Sequence, residues 1–300
     1  MVPLIQKEPK RIFTFGCSFT KYLWGTWANI LGAEFPQAKF YNLGQSSAGN
    51  LYIHNVIMQA DNVYNFCESD LVVVQWTNVY REDRYFEDAW RNSGNIFFEN
   101  NYPKKFVEDY FDMYGAYVRD FALIKSALCA LKDKTHLHMI KMKDFDHPSP
   151  YEELQKQILK LSELYAPTLD AVHPSIMKTL WNNDLDSKFA DDEKLVHPLY
   201  KDGHPSPAEH FDYLRLTFEH SWSTATQDAV NVAQHQWVEL MRLAIDSGYK
   251  SRETNIDGYR FAEYLQTLKI DNKYFLRGSN EPDIRLHIKS DNRQRPIRNK

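Results

Sequence analysis

Along the first half of the chain, short apolar runs alternate with amphipathic stretches. Arg11 to Phe15 is a β-rich run closed by Gly16 and predicts a first strand. Trp24, Trp27, Ala28 and Leu31 then fall at helical spacing, with Gly32 as the expected end of that helix. Lys39 to Leu43 predicts a second strand, opening into a loop of small residues, Gly44 to Asn50. Ile53, Val56, Ile57, Ala60, Val63 and Tyr64 recur with the period of one helix face. Leu71 to Trp76 is a continuous apolar run, the pattern of a central parallel strand covered on both faces. Residues 81–104 are polar and aromatic without a clear period and read as an insertion. Phe106, Tyr110, Met113, Tyr117, Phe121, Ile124 and Leu128 outline one long helix, and His136 to Ile140 a fourth strand.

Strands alternating with helices predict an α/β fold around a parallel sheet, in which ligands sit beyond the carboxyl ends of the strands. Ser18, the Gly44–Asn50 loop and Trp76-Thr77-Asn78 each follow directly after a predicted strand, so they should meet on one edge. From Tyr151 the pattern changes to a helix over 151–165, an irregular stretch over 167–205 and two helices over 207–247. The expected organisation is a main domain over 1–222 with an insertion near 81–104. A helical C-terminal extension over 223–282 and a polar, basic tail over 283–300 follow it.

Composition narrows the function classes. A hydrophobic share of 43% is enough for a sizeable core, and the 14% aromatic share suits packing or a substrate groove. A net charge of −4 and a pI near 6.3 offer no electrostatic reason to expect nucleic acid. No apolar run approaches the ~20 residues of a membrane span. Met1 to Lys10 does not read as a signal peptide. Cys17, Cys67 and Cys129 are odd in number and lack metal-ligand spacing, so a reduced, cytoplasmic setting is expected. Cys17 beside Ser18 reads as a small buried neighbour rather than a nucleophile.

The candidate chemistry lies in two distant segments. Ser18 stands at the end of the first strand, and Asp202-Gly203-His204-Pro205 lies far downstream. Together they supply a hydroxyl to attack, an imidazole to take its proton and a carboxylate to orient the ring. Pro205 keeps His204 out of the helical region. Ser206, Pro207 and Glu209 form a capping-box start, so a rigid helix should begin just after the histidine. Asp170-Ala171-Val172-His173 is a rival acid–histidine pair. His136 and His138 share one strand face, but no third metal ligand is evident near them.

Gly16-Cys17-Ser18-Phe19-Thr20, Asn42-Leu43-Gly44-Gln45-Ser46-Ser47, Trp76-Thr77-Asn78 and Asp202-Gly203-His204-Pro205 occur in the order of the four sequence blocks of the SGNH (GDSL-type) hydrolases. The chain resembles that superfamily over about residues 10–215. The resemblance implies a flavodoxin-like three-layer sandwich with a central parallel sheet and, here, a helical C-terminal elaboration. It implies Ser18 as nucleophile, His204 as general base and Asp202 as the acid that orients it. The oxyanion would be held by the N–H of Ser18, an N–H of the second block and the Asn78 amide. No metal or organic cofactor is implied.

Three positions depart from the family pattern. Cys17 replaces the usual aspartate before the serine. The second-block glycine falls on Ser47, with Gly49 as the donor if the loop is longer. The acid stands two residues before the histidine rather than three, so Asp191, Asp192 or a bare Ser–His pair are alternatives to Asp202. The expected activity is hydrolysis of a carboxylic ester of a small molecule or carbohydrate, with short acyl groups such as O-acetyl. A non-catalytic module binding glycan or protein, and an acyltransferase on the same scaffold, are the other readings.

Overall fold

The computed structural model describes residues 1–97, 102–145, 151–184 and 203–246, with side chains as far as Leu240 in the last helix. The elements in chain order begin with β1 (Val2–Pro3), β2 (Arg11–Phe15), α1 (Trp27–Glu34), β3 (Lys39–Asn42), α2 (Asn50–Tyr64) and β4 (Asp70–Trp76). Next come β5 (Arg81–Phe86), β6 (Ala89–Asn95), α3 (Lys104–Tyr110), α4 (Met113–Leu131) and β7 (His136–Lys141). The remainder is α5 (Glu152–Leu164), α6 (Ala166–Leu169), β8 (Val172–Ser175), α7 (Ile176–Trp181), α8 (Pro207–Thr217), β9 (Phe218–Glu219) and α9 (Thr224–Asp246).

Five of these strands form one parallel sheet in the order β3-β2-β4-β7-β8. All seven residues of β4 are buried, as its continuous apolar run requires. Arg11 and Asp70, paired in register at the start of β2 and β4, are joined by two charge-assisted bonds of 2.7 and 2.6 Å. Helices α1, α7, α8 and α9 pack among themselves, and α2, α4, α5 and α6 form a second group. The result is the α/β fold that the alternating pattern predicts, with the three layers and flavodoxin-like strand order that the resemblance implies. After β2 the chain steps outward to β3 and then crosses back over β2 to β4. The switch point therefore lies between β2 and β4, where such sheets bind their ligands.

Several local expectations change. Gly32 does not end α1 but lies inside it, because a Cβ there would come within 2.8 Å of the Phe40 ring on β3. An interior glycine costs about 1 kcal/mol relative to alanine, and here it lets α1 lie directly on the sheet. The predicted long helix is two, broken at Phe111-Asp112, where the Asp112 carboxylate caps α4 by accepting the Gly115 N–H. The insertion holds a β5–β6 hairpin. Its two-residue turn, Glu87-Asp88, has φ of 51° and 60°, the conformation usually marked by Asn-Gly. The stretch over 167–205 contains a fifth strand, β8, and the short helix α7. Helix α9 packs against α1 and α8, while the expected tail over 283–300 lies outside the described residues.

Candidate active site

The turn after β2 is built to hold one serine. A Cβ on Gly16 would fall 2.1 Å from Thr20 Oγ1, so only glycine lets the chain fold back this tightly. The Cys17 carbonyl accepts the Thr20 and Lys21 N–H groups at 2.9 and 3.1 Å. Thr20 donates its hydroxyl to buried Gln75 on β4 at 2.6 Å. Its carbonyl accepts from Thr26 Oγ1 at 2.6 Å and from Asn42 Nδ2 at 2.9 Å. The turn is thereby tied to β4, α1 and β3, with Ser18 at its tip, 5% exposed. Cys17 is fully buried, and Gln75 Nε2 lies 3.5 Å from its sulfur, so it packs inward as a structural neighbour.

His204 reaches Ser18 from the other end of the chain, with Nε2 2.8 Å from Ser18 Oγ. For Nε2 to accept the serine proton, the ring's own proton must sit on Nδ1. The backbone beyond it is held as the sequence predicts. Ser206 accepts the Glu209 N–H at 3.3 Å, and the Glu209 carboxylate accepts the Ser206 N–H at 2.7 Å, with Pro207 at the first helical position of α8. The other Glu209 oxygen accepts Trp181 Nε1–H at 3.0 Å. Trp24 Nε1–H donates to the Pro205 carbonyl at 2.7 Å. Tyr22 lies flat on the His204 ring, with centroids 3.7 Å apart and planes 15° apart.

The predicted oxyanion donors sit on loops that follow β3 and β4, at the same edge of the parallel sheet as the Ser18 turn. Ser47 has φ 65°, the left-handed conformation in which glycine is favoured. Neither the Ser18 nor the Ser47 N–H has an acceptor among the described residues. Asn78 follows β4, and its Oδ1 accepts the Tyr80 N–H at 3.1 Å, which leaves the Nδ2 end of the amide as a donor. Gly49 is different. Its N–H donates to Asp83 Oδ1 at 2.8 Å, so the alternative that made Gly49 an oxyanion donor gives way to a structural role at the start of α2.

The hairpin supplies the clamp. Asp83 also accepts the Tyr52 N–H at 2.9 Å, and Arg81 donates to the Ala48 carbonyl at 2.9 Å. The loop that carries Ser47 is thus pinned by two side chains of β5. Burial pushes the Asp83 carboxyl up to about 7, against the opposing pull of the two backbone N–H groups. On the neighbouring loop, Asn50 accepts the Thr77 N–H at 2.8 Å and donates to the Thr77 carbonyl at 3.0 Å. Asn50 Nδ2 also lies 2.7 Å from Asp120, whose carboxyl is raised to about 6 by burial despite the adjacent Arg119. Tyr22, Arg81 and Asp83 carry no sequence signal, because each acts on a partner remote from its own local pattern.

The rival histidine is engaged elsewhere. His173 Nε2 lies 3.2 Å from His138 Nδ1, and His138 Nε2 lies 2.8 Å from the Leu4 carbonyl. The carbonyl can only accept, so the His138 proton is on Nε2 and His173 donates to its Nδ1. Burial lowers the His138 pKa to about 4, in keeping with a neutral ring. Of the predicted residues, the structure brings together Ser18 and His204 and sets the Ser47 and Asn78 loops at the same sheet edge. Asp202, with the alternatives Asp191 and Asp192, lies outside the described residues.

No protein-family model matches the chain, and no curated protein matches it by sequence. Similar solved structures include a lipolytic protein of the G-D-S-L family from Veillonella parvula, 12% identical with a TM-score of 0.39, covering 69% of this chain and 97% of that one. An acetylxylan esterase from Geobacillus stearothermophilus is 14% identical with a TM-score of 0.36, covering 70% and 95% of the two chains. The catalytic domain of a peptidoglycan O-acetyltransferase from Streptococcus pneumoniae is 11% identical with a TM-score of 0.28, covering 70% and 97%.

Proposed function

We propose that this chain is a serine hydrolase of the SGNH type, cleaving short-chain carboxylic esters through an acyl-serine intermediate, with O-acetyl groups on carbohydrate among its substrates. The observation that carries the reading is the 2.8 Å contact between Ser18 Oγ and His204 Nε2 at the switch point of the sheet.

In this reading His204 takes the Ser18 proton on Nε2 as the oxygen attacks the ester carbonyl. The carbon–oxygen double bond opens to an oxyanion, which accepts from the Ser18 and Ser47 N–H groups and from Asn78 Nδ2. One such donor contributes about 3 kcal/mol to transition-state stabilisation. The tetrahedral species collapses as His204 returns its proton to the departing alcohol oxygen, leaving acyl-Ser18. Water then adds to the acyl carbon, giving its proton to His204. The second tetrahedral species expels Ser18 Oγ, which recovers that proton, and the carboxylic acid leaves. Asp202 would accept the His204 Nδ1–H, hold the tautomer and balance the charge that the ring acquires. The aromatic segments of the hairpin and of α3 are the candidates for shaping the substrate groove.

The test is reaction with a fluorophosphonate probe, comparing wild type with Ser18→Ala. Stoichiometric labelling of the wild type, absent from the variant, is expected. A folded wild type that takes up no label would overturn the hydrolase reading and leave a binding module in its place.

A further inference from the structure

The short segment after Ser18 does more than carry the nucleophile. Phe19, Tyr22 and Trp24 all turn their rings toward His204, at centroid distances of 5.2, 3.7 and 6.4 Å. Only Tyr22 is parallel to the imidazole, 15° from coplanar, whereas Phe19 is tilted by 57° and Trp24 meets it edge-on at 87°. Trp24 in turn packs edge-on against Tyr22 at 4.6 Å, and its indole N–H holds the Pro205 carbonyl. Trp237 of α9 packs against Trp24 at 6.1 Å. The face of the imidazole, the backbone beside it and the attacking hydroxyl are therefore all referenced to one seven-residue stretch, Ser18 to Trp24.

We propose that Tyr22 is a positioning residue for proton transfer between Ser18 and His204. Its ring blocks the imidazole from turning away from Ser18 and offers a π face to the positive charge the imidazole gains on taking the proton. This rests on the hydrolase reading above. Two physical effects support it. A stacked neighbour at van der Waals distance removes rotational freedom of the ring, and lost orientation is what most reduces the rate of a positioned acid–base pair. The aromatic face is also the negative end of the ring quadrupole, which attracts an imidazolium and is indifferent to a neutral imidazole. Such an interaction is stronger in the transition state than in the ground state, the condition for acceleration.

The experiment measures the second-order rate of fluorophosphonate labelling for wild type, Tyr22→Phe and Tyr22→Leu. In parallel, the His204 ring-proton resonances are recorded by NMR and assigned with His204→Gln. Tyr22→Phe keeps the stacked ring and should react within about twofold of wild type, while Tyr22→Leu should react about tenfold more slowly. In wild type and Tyr22→Phe the His204 ring protons should carry an upfield ring-current shift that Tyr22→Leu loses. Tyr22→Leu reacting as fast as wild type, or a wild type without the ring-current shift, overturns the proposal while leaving the hydrolase intact. Should Tyr22→Leu fail to fold, the wild-type resonances and the Tyr22→Phe rate decide alone. A wild type that takes no label removes the hydrolase reading and this role with it.

Discussion

Ser18 Oγ and His204 Nε2 stand 2.8 Å apart although 186 positions separate them in sequence. The ring of His173, the rival histidine with Asp170 three residues earlier, is instead bonded to His138, whose other nitrogen meets the Leu4 carbonyl. His204→Ala should therefore lower fluorophosphonate reactivity about a thousandfold or more, and His173→Ala should leave it within a few-fold. Measured labelling rates in the reverse order would assign the base to His173.

Asp202 is the proposed acid of the triad. Asp202→Asn should cut the labelling rate by roughly three to four orders of magnitude, because the amide favours the wrong imidazole tautomer. Asp191→Asn and Asp192→Asn should stay near wild type. A loss in either of those instead would move the acid there, and no loss in any of the three would describe a Ser–His pair.

Asn78 has one end of its amide held by the Tyr80 N–H, leaving the other as donor. Asn78→Ala should lower kcat on a small aryl acetate by about a hundredfold to a thousandfold with KM little changed, since the bond is made only to the oxyanion. A variant that changes KM alone would place Asn78 in ground-state binding.

Asp83 links the hairpin to α2, and burial raises its carboxyl from an ordinary 3.8 to about 7. Between those values the folded protein keeps a proton that the unfolded chain has released, so stability must fall as pH rises through the window. The slope is about 1 kcal/mol per pH unit at its steepest. Asp120, raised by burial to about 6, acts in the same direction, while buried His138, lowered to about 4, acts oppositely between that value and its ordinary 6.5. Urea unfolding of wild type and Asp83→Asn isolates the one group. Relative to the variant, wild type should lose stability from about pH 4 to pH 7. A pH-independent difference between the two would mean that Asp83 stays ionised throughout.

Much of the site was readable because it depends on local rules. Gly16 before Ser18 announces a turn that a side chain would block, and Ser206-Pro207-Ala208-Glu209 spells a helix start in its own four residues. The hairpin was not readable, because its turn uses Glu87-Asp88 at positive φ where the usual signal is Asn-Gly. β8 was missed because its four residues, Val172 to Ser175, contain a proline and too few apolar positions for a period to form. That placement is tolerable at the sheet edge, where β7 is the neighbouring strand of the sheet.

The sequence by itself determined the alternation of buried strands and amphipathic helices, the residue types of the nucleophile and base, and the rigid start of α8, since these follow from side-chain period and local hydrogen bonding. Tertiary structure alone decided which histidine meets Ser18, that Ser47 takes the glycine-like conformation, that Asp83 captures the Gly49 N–H, and that Tyr22 lies on the His204 ring. Each of those is a contact between distant segments or a backbone state imposed by neighbours. Local propensity carries no information about such contacts until the parallel sheet has brought the strand ends to one edge.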